Sequence, residues 1–439
     1  MPMVVHEEDR LLILEDPTNE ELTVVREHEG PVLIILRKVQ SIDVQPNHLM
    51  QVLILRNPSD EQVELAKAQL RARRAEFARI PRESVSRRDI VMGRLVKYIL
   101  KNVPTYFENA CRVRYGCSMC VSACPVGAIS IVGGKVVINQ EACVECGACV
   151  AACPTGALAM VGADDNELTS LINKSREFTG VTRITFTCPL NGREPGANEY
   201  MYKVPCVLSV GPEWVSMALT RFNEVSLECP SSDCKLNAKP HVESLMESFT
   251  KAFRVKVING DTLVNEELPR EPPMFMGIRR SDYAKALKSL RYMATGKGNP
   301  VFKIFNVYVD TVKCSFCGVC FAKCPERAID VGRDGDRTML RIDPLKCIGC
   351  GHCARLCPEK AMEITKADNM PMEDQLDLVY DEVVRCRMCG KPFDTRRHIM
   401  TVKVRMGIKG DPEWLYLCPD CRRYYTAKNM LERYLKASK

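Results

Sequence analysis

Short apolar runs broken by polar residues open the chain and predict β-strands. LLILED, PVLIILRKV and LMQVLILR are of strand length and rich in branched aliphatic residues. Helical spacing follows in EQVELAKAQLRARRAEFARI, whose apolar positions lie loosely on one side: Leu65, Ala68, Leu70 and Phe77. Residues 1–105 are therefore predicted to form an α/β domain, and we expect this domain to dock a partner.

Strand and helix patterns alternate again in the middle of the chain. RITFTC, EVSLEC and RVKVIN predict strands, whereas GPEWVSMALTRF and HVESLMESFTKAF have helical spacing. Such alternation predicts a small α/β unit with a parallel sheet, which we assign to residues 166–262. Residues 263–300 are predicted to be a linker around one helix.

A basic segment overlaps the end of the first predicted helix. Seven arginines lie between Arg71 and Arg88. Two hypotheses account for them: a solvated helix face, or a surface that docks an acidic partner protein.

The chain is long enough for several domains but carries a modest charge. Its 439 residues suggest roughly three domains at about 150 residues each, and its formal charge is +7. That charge does not indicate a nucleic-acid-binding protein. No apolar run approaches the ~20 residues that span a bilayer. The N-terminus lacks the basic and apolar regions of a secretory signal, so we expect a cytoplasmic protein that meets membranes only through partners.

Cysteine is the residue that points to chemistry, because the chain has 24 of them. They fall into groups of eight, four, eight and four along the sequence. A disulfide framework is typical of small secreted domains, and cysteines two residues apart cannot easily pair with each other. Thiolates at such spacing instead favour iron–sulfur clusters and zinc. We therefore expect metal centres that together use every cysteine.

Two regions contain the C-x2-C-x2-C-x3-C-P run of bacterial-type ferredoxins. CVECGACVAACPTGAL, CSFCGVCFAKCPERAI and CIGCGHCARLCPEKAM carry it in full. Residues 106–165 and 301–368 therefore resemble the family of two-cluster ferredoxins. The resemblance implies a ferredoxin-like fold and two [4Fe–4S] clusters in each region. The fourth cysteine of one run then ligates the cluster of the other run.

This crossing pattern implies four ligand sets, two in each region. Site A includes Cys117, Cys120 and Cys153, and site B is Cys143, Cys146, Cys149 and Cys124. Site C is Cys314, Cys317, Cys320 and Cys357, and site D is Cys347, Cys350, Cys353 and Cys324.

The first run departs from the pattern at its first cysteine. In CRVRYGCSMCVSACPVG the expected position is Arg114, and the nearest cysteine is Cys111. Because Cys111 is otherwise the only unassigned cysteine, we predict that it completes site A through a five-residue loop. The alternative is that Cys111 is a bystander and one iron lacks a thiolate. The loop is also expected to place Arg112 and Arg114 beside the cluster.

The second group of cysteines lies at predicted strand ends and loops of the middle α/β unit. The pattern ITFTC…VPC…GPEWVSMAL…EVSLECPSSDC resembles the delta subunit of methyl-viologen-reducing hydrogenase. The resemblance implies one [2Fe–2S] cluster on the middle site, which is Cys188, Cys206, Cys229 and Cys234. Two positions depart from that family: CPLNG lacks a second cysteine, and Glu228 stands where the family has glycine. A zinc site or scattered core cysteines are the alternatives.

The last group consists of two pairs in residues 369–439. CRMCG and CPDC are separated by HIMTVKVRM and EWLYLC, which we predict to be two strands of a zinc ribbon. The C-terminal site is Cys386, Cys389, Cys418 and Cys421. Rubredoxins hold one iron with similar pairs, but Arg422 stands where they usually have glycine, so we favour structural zinc.

The sequence offers no chemistry beyond its metal centres. There is no G-x-G-x-x-G after a strand, the six histidines are not clustered, and every cysteine is assigned, so we expect no catalytic site on this chain. The overall prediction is an α+β multidomain protein with two ferredoxin-like modules, a small α/β [2Fe–2S] domain and a C-terminal zinc ribbon.

Electron transfer is the function that this inventory predicts. The hydrogenase-delta family passes electrons between a hydrogenase or formate dehydrogenase and the flavoprotein of heterodisulfide reductase. The resemblance implies an iron–sulfur subunit of such a complex, with those catalytic subunits as partners and a soluble ferredoxin as a further one. The alternatives are a free-standing polyferredoxin carrier and, less favoured, a nucleic-acid-associated iron–sulfur and zinc protein.

Overall fold

The computed structural model divides into two compact units, Met1–Lys303 with Ala367–Met372 and Ile304–Lys366 with Glu373–Lys439. The residues that the structure describes are 6–8, 11–18, 22, 25, 28, 30–38, 42, 52–74, 101–230, 234, 236–297, 300–368 and 370–437. Within these ranges, no helix combines the length and apolar character needed to cross a lipid bilayer.

The predicted N-terminal strands form one sheet of the first unit. Its strands, in spatial order, are β1 (His6–Glu8), β2 (Leu11–Glu15), β3 (Val32–Leu36) and β4 (Val52–Arg56). β2, β3 and β4 are parallel, and β1 is antiparallel to β2. Leu14 and Ile34 are fully buried in the core of this sheet, so the apolar runs do form strands.

The predicted helix follows this sheet as α1 (Asp60–Arg71). Ser59 caps it: its hydroxyl accepts from the Gln62 amide, and its own amide donates to the Gln62 side chain. Leu65 and Leu70 are buried as expected. The helix ends at Arg71, earlier than predicted. Phe77 and the last four arginines of the basic segment lie outside the described residues.

The inner face of α1 packs on α4 (Asp165–Lys174). Arg73 and Glu167 form an ion pair at 2.9 Å in which the side chains are 7% and 0% exposed. Arg74 pairs with the buried Asp164, also at 2.9 Å. The hypothesis of a solvated helix face is therefore wrong for Arg73, because this arginine holds α1 onto the rest of the first unit.

The first ferredoxin-like region has a twofold internal repeat. Its strands are β5 (Thr105–Tyr106), β6 (Ile129–Val132), β7 (Lys135–Ile138) and β8 (Leu158–Ala159), and its helices are α2 (Met119–Ala123) and α3 (Ala148–Ala152). β5 pairs with β8, β6 pairs with β7, and both pairs are antiparallel. The two short helices pack against each other, which brings the two cysteine runs together.

The middle of the first unit is built on a five-stranded sheet. Its strands are β9 (Arg183–Thr187), β10 (Glu199–Lys203), β11 (Glu224–Glu228), β12 (Lys256–Ile258) and β13 (Thr262–Val264), in the spatial order β10-β9-β11-β13-β12. β10, β9 and β11 are parallel, but β13 and β12 run antiparallel to their neighbours. The prediction of a purely parallel sheet is thus wrong at this edge, where a tight hairpin joins β12 to β13.

Three helices cover this sheet and complete the first unit. They are α5 (Pro212–Leu219), α6 (Lys239–Ala252) and α7 (Arg279–Ser289). Phe186, Tyr202 and Trp214 form an aromatic core with ring centroids 5.6–5.9 Å apart. α7 lies in the region predicted to be a linker, yet it packs on α5 and buries Tyr283.

The second unit repeats the ferredoxin-like pattern and extends it. Its strands are β14 (Phe305–Val309), β15 (Ile329–Asp334), β16 (Arg337–Ile342), β17 (Met362–Lys366), β18 (Leu376–Arg385) and β19 (Pro392–Thr395). β14 pairs with β17, as β5 does with β8. The hairpin of β15 and β16 becomes a four-stranded sheet in the order β15-β16-β18-β19.

The helices of the second unit overturn part of the zinc-ribbon prediction. They are α8 (Val319–Ala322), α9 (His352–Leu356), α10 (Arg396–Arg405) and α11 (Pro419–Ala437). HIMTVKVRM, predicted as a strand, lies largely in α10, and EWLYLC begins with a 3-10 turn over Glu413–Tyr416. Thr395 caps α10 by accepting from the His398 amide at 3.3 Å, and this local signal outweighs the β-branched residues of the segment.

Candidate metal centres

Three of the four predicted ferredoxin ligand sets each surround a cavity that is partly open to solvent. All four cysteines of site C line one such cavity, and the same holds for the four cysteines of site D and the four of site B. Each set combines three cysteines of one run with the fourth cysteine of the other run. The remaining walls are mostly apolar, for example Val309 and Leu340 at site C.

Cys111 lies with the other cysteines of site A. Burial raises the pKa of the Cys120 thiol to about 11, and nearby thiols add to the rise. These neighbouring thiols are those of Cys153, Cys117 and Cys111. The displaced first cysteine therefore reaches the same neighbourhood as the cysteines of the regular spacing.

The loop between Cys111 and Cys117 turns its charges outward. It forms a 3-10 turn over Val113–Tyr115. Arg112 donates to the carbonyl oxygen of Ala110 at 3.2 Å, and the Arg114 side chain is 70% exposed. The Arg114 side chain thus lies mostly in solvent, and the placement of Arg112 and Arg114 beside the cluster stays a prediction.

A repeated turn follows the fourth cysteine of every run. In each Cys-Pro-x-x-Ala segment the alanine amide donates to the cysteine sulfur four residues earlier. The pairs are Ala128 with Cys124 and Ala157 with Cys153 at 3.2 Å, and Ala328 with Cys324 and Ala361 with Cys357 at 3.3 Å. Such N–H···S bonds stabilise a thiolate, which is the form that binds iron.

The donor chemistry of sites A to D fits [4Fe–4S] clusters. Each set offers four soft sulfur donors, and each includes one sulfur that already accepts an amide hydrogen bond. The four cysteines of each of sites B, C and D line one shared cavity, whereas the C-terminal sulfurs all lie within 4.8 Å of one another. A cluster needs the first arrangement, and a single ion needs the second.

Three cysteines of the middle site lie just beyond the carboxyl ends of neighbouring parallel strands. Cys188 directly follows β9, Cys206 comes three residues after β10, and Cys229 directly follows β11. Burial raises the pKa of the Cys206 thiol to about 11, with contributions from the thiols of Cys188 and Cys229. Cys234 is half-buried, and the contacts of the described residues do not place it among the other three.

Glu228 anchors the loop that follows Cys188. Its carboxylate accepts from the Asn191 amide at 2.8 Å and from the Arg193 guanidinium at 2.6 Å. The loop after Cys188 is therefore held by polar contacts to the residue before Cys229. A glycine at position 228 could not provide this anchor.

The middle site lies next to site B. The thiol of Cys146 is one of the charges that raise the pKa of Cys206, after burial. Between them the backbone of Gly147 approaches Ser209 so closely that a Cβ on Gly147 would lie 2.5 Å from the Ser209 Cβ. Glycine is required here because any side chain would separate the two sites.

The four cysteines of the C-terminal site form the tightest thiol cluster among the described residues. All four sulfurs lie within 4.8 Å of one another, and those of Cys389 and Cys418 are 3.8 Å apart. A tetrahedron of thiolates at the usual zinc–sulfur distance of about 2.3 Å has sulfurs about 3.8 Å apart. The site therefore fits one tetrahedral ion.

Backbone amides favour the thiolate form of Cys386 in this site, which is the form that binds a cation. Desolvation opposes ionisation of Cys386, but amide hydrogen bonds from Cys418, Cys389 and Met388 outweigh it and lower its pKa to about 6. Arg422, which replaces the rubredoxin glycine, donates to the carbonyls of Trp414 and Leu417 at 3.0 and 3.1 Å. It thereby fixes the chain that enters the second cysteine pair.

Two cations beside site A, one buried and one half-buried, could not be found from the sequence pattern. Arg279, on α7, donates to the carbonyl of Cys153 at 3.1 Å, and its side chain is 3% exposed. Lys303 donates to the carbonyl of Ala151. Neither residue lies near a cysteine in the sequence, so no spacing signal could have found them.

Comparison with protein families identifies the two cysteine-rich regions. Residues 110–157 match the family model of a 4Fe-4S dicluster domain, and residues 306–358 match a second model with the same description. No curated protein matches the chain well enough to serve as a relative. The chain therefore contains two 4Fe–4S ferredoxin-type domains within a mixed α/β structure, and these domains support an iron–sulfur electron-transfer role.

Proposed function

We propose that this chain is the electron-transfer subunit of a multi-subunit oxidoreductase. Sites A to D would each hold a [4Fe–4S] cluster, the middle site a [2Fe–2S] cluster and the C-terminal site a zinc ion. The clusters would supply one-electron chemistry when bound. The chain itself spaces the sites, hydrogen-bonds their sulfurs and surrounds them with apolar side chains.

The proximity of Cys206 in the middle site to Cys146 in site B, where Gly147 packs against Ser209, is the observation that carries this proposal. A free-standing electron carrier does not need its redox sites in an ordered series. A subunit that relays electrons between partners needs redox sites that are neighbours. Gly147 and Ser209 bring the middle site directly against site B, and α3 links site B to site A through Cys149 and Cys153. Three candidate redox sites thus follow one another within the first unit.

The partners follow from the resemblance of the middle unit. We propose a hydrogenase or formate dehydrogenase-type subunit or a flavoprotein as the catalytic partner, and a soluble ferredoxin as a further donor. The zinc site closes the end of the second unit with four thiolates. It has no open coordination position for catalysis.

Anaerobic purification of the tagged chain from its natural host tests this function. We expect about 18 irons and one zinc per chain, from four [4Fe–4S] clusters, one [2Fe–2S] cluster and one structural ion. We also expect a flavin- or metal-containing catalytic subunit to copurify. A value near eight irons would reject the relay, and a fully loaded chain that purifies alone would instead identify a free-standing polyferredoxin.

A further inference from the structure

Two cations, the buried Arg279 and the half-buried Lys303, bind backbone carbonyls at the end of α3 beside site A. The side chain of Arg279 donates to the carbonyls of Val150 and Cys153, and that of Lys303 donates to the carbonyl of Ala151. Both cations lie within electrostatic reach of the Cys153 thiol. Cys153, a predicted ligand of site A, directly follows this helix. The positive charges therefore lie next to the backbone of a site A ligand.

Each cation also forms an ion pair with a buried carboxylate. Asp165 pairs with Arg279 at 2.8 Å, and the two side chains are each 3% exposed. The Asp165 carboxylate also accepts from the Trp214 indole at 2.8 Å. Glu213, in the first turn of α5, pairs with Lys303 at 2.6 Å.

Gly156 allows this arrangement to reach the Cys153 turn. A Cβ at Gly156 would lie 2.8 Å from a carboxylate oxygen of Asp165 and 3.6 Å from the Arg279 Cβ. Lys360 fills the equivalent position after Cys357 in the second unit. The close approach of an ion pair is therefore a feature of site A that the corresponding turn of the second unit does not share.

We propose that Arg279 and Lys303 raise the reduction potential of site A. Reduction adds one negative charge to a cluster, and a buried positive charge stabilises that charge far more than an exposed one does. The carboxylates oppose this effect, but the hydrogen bonds to the backbone carbonyls at the end of α3 come from the two cations. The inference rests on the proposed function, because it requires a cluster at site A.

A pair of opposite substitutions in the full chain tests the inference. Arg279→Gln removes the cation and leaves Asp165, so site A should become harder to reduce. Asp165→Asn removes the anion, keeps an acceptor for Trp214 and leaves Arg279, so site A should become easier to reduce. At a fixed potential we expect the reduced-to-oxidised ratio of site A to change about tenfold in each direction.

The measurement is an EPR-monitored redox titration of the reconstituted chain. The signal of site A is assigned as the one lost in Cys117→Ala, and the signals of sites C and D serve as the internal reference. Arg221→Gln is the matched control. This half-buried arginine also binds carbonyls at the end of a helix, those of Ser175 and Phe178, but it belongs to no cysteine site.

The outcomes separate the two proposals. Opposite shifts at site A with unchanged reference signals support the inference. Shifts of the same sign, no shift, or an equal shift in Arg221→Gln overturn it, because altered packing alone would then be the cause. If Arg279→Gln does not fold, Lys303→Met and Glu213→Gln give the same opposed pair. Absence of any site A cluster in the unmodified chain would instead reject the proposed function.

Discussion

The guanidinium of Arg114 lies 2.7 Å from a carboxylate oxygen of Glu108. The ammonium of Lys135 binds the other oxygen of the same carboxylate at 2.8 Å. The cation that stands at the expected position of the first cysteine is therefore engaged at the surface. The effect of the Arg114 charge on site A can therefore be tested without removing the loop that carries Cys111.

Arg114→Gln should accordingly change site A very little. The Arg114 side chain is exposed and paired, so solvent screens its charge. We expect the reduced-to-oxidised ratio of site A at fixed potential to change by less than about twofold. EPR-monitored titration measures this ratio, with Arg279→Gln as the contrasting variant. A change as large as that of Arg279→Gln would mean that the loop turns its charge inward in the loaded protein.

Cys111→Ala should convert or destabilise the cluster of site A while leaving that of site B in place. The thiol of Cys111 lies among those of Cys117, Cys120 and Cys153, and its removal leaves one iron without a thiolate. EPR and iron analysis of the full chain provide the measurement. Four unchanged [4Fe–4S] signals would identify Cys111 as a bystander.

Cys229→Ser should remove the [2Fe–2S] spectrum and leave the [4Fe–4S] signals. Glu228→Gln is the milder companion, because it keeps the shape of the side chain but weakens its bond to Arg193. We expect that variant to assemble the cluster and lose it faster to a chelator, as the loop after Cys188 loosens. Zinc in place of iron at the unmodified site would contradict the assignment.

Cys418→Ser should release one zinc per chain and leave the iron content unchanged. Cys418 is buried and its sulfur lies 3.8 Å from that of Cys389, so the substitution removes one of the four thiolates that would hold the ion. Metal analysis of the purified variant gives the result. If the lost metal is iron, with the visible spectrum of a single tetrathiolate iron, the rubredoxin alternative is correct.

Arg73→Met should loosen α1 from the first unit. The substitution leaves Glu167 buried without its ion-pair partner, which costs about 3–5 kcal/mol in comparable cases. Hydrogen exchange of peptides from α1 reports the local opening free energy without assuming two-state unfolding of the whole chain. Arg71→Met on the exposed side of the same helix is the control and should change it by less than about 0.5 kcal/mol. Equal protection in both variants would contradict this role of Arg73.

Local signals in the sequence predicted most of the fold and the grouping of the cysteines. The ferredoxin runs are predictable because three cysteines and the turn after the fourth lie within a short segment, as in Cys143 to Ala157. Strands such as Val32–Leu36 are predictable because their apolar residues are contiguous. In both cases the information lies within a few residues of the element that it specifies.

Features that depend on distant contacts were not predictable from the sequence. β10 was missed because EYMYK alternates poorly, and its strand state depends on pairing with β9. The segment over Arg396–Arg405 was assigned to a strand from its β-branched residues, but its Thr395 cap makes it a helix. Arg279 and Asp165 are 114 residues apart, and only folding brings them together.

The long strand β18 determines where the second unit can be truncated without exposing the edge of a β-strand. One end of this strand completes the sheet beside β16, and the other pairs with β19 and leads directly into Cys386. A truncation between residues 368 and 376 would uncover the hydrogen-bonding edge of β16, and exposed edges of this kind recruit strands from other molecules. We therefore expect a chain that extends to at least residue 421 to be monomeric when expressed, and we expect shorter fragments to aggregate.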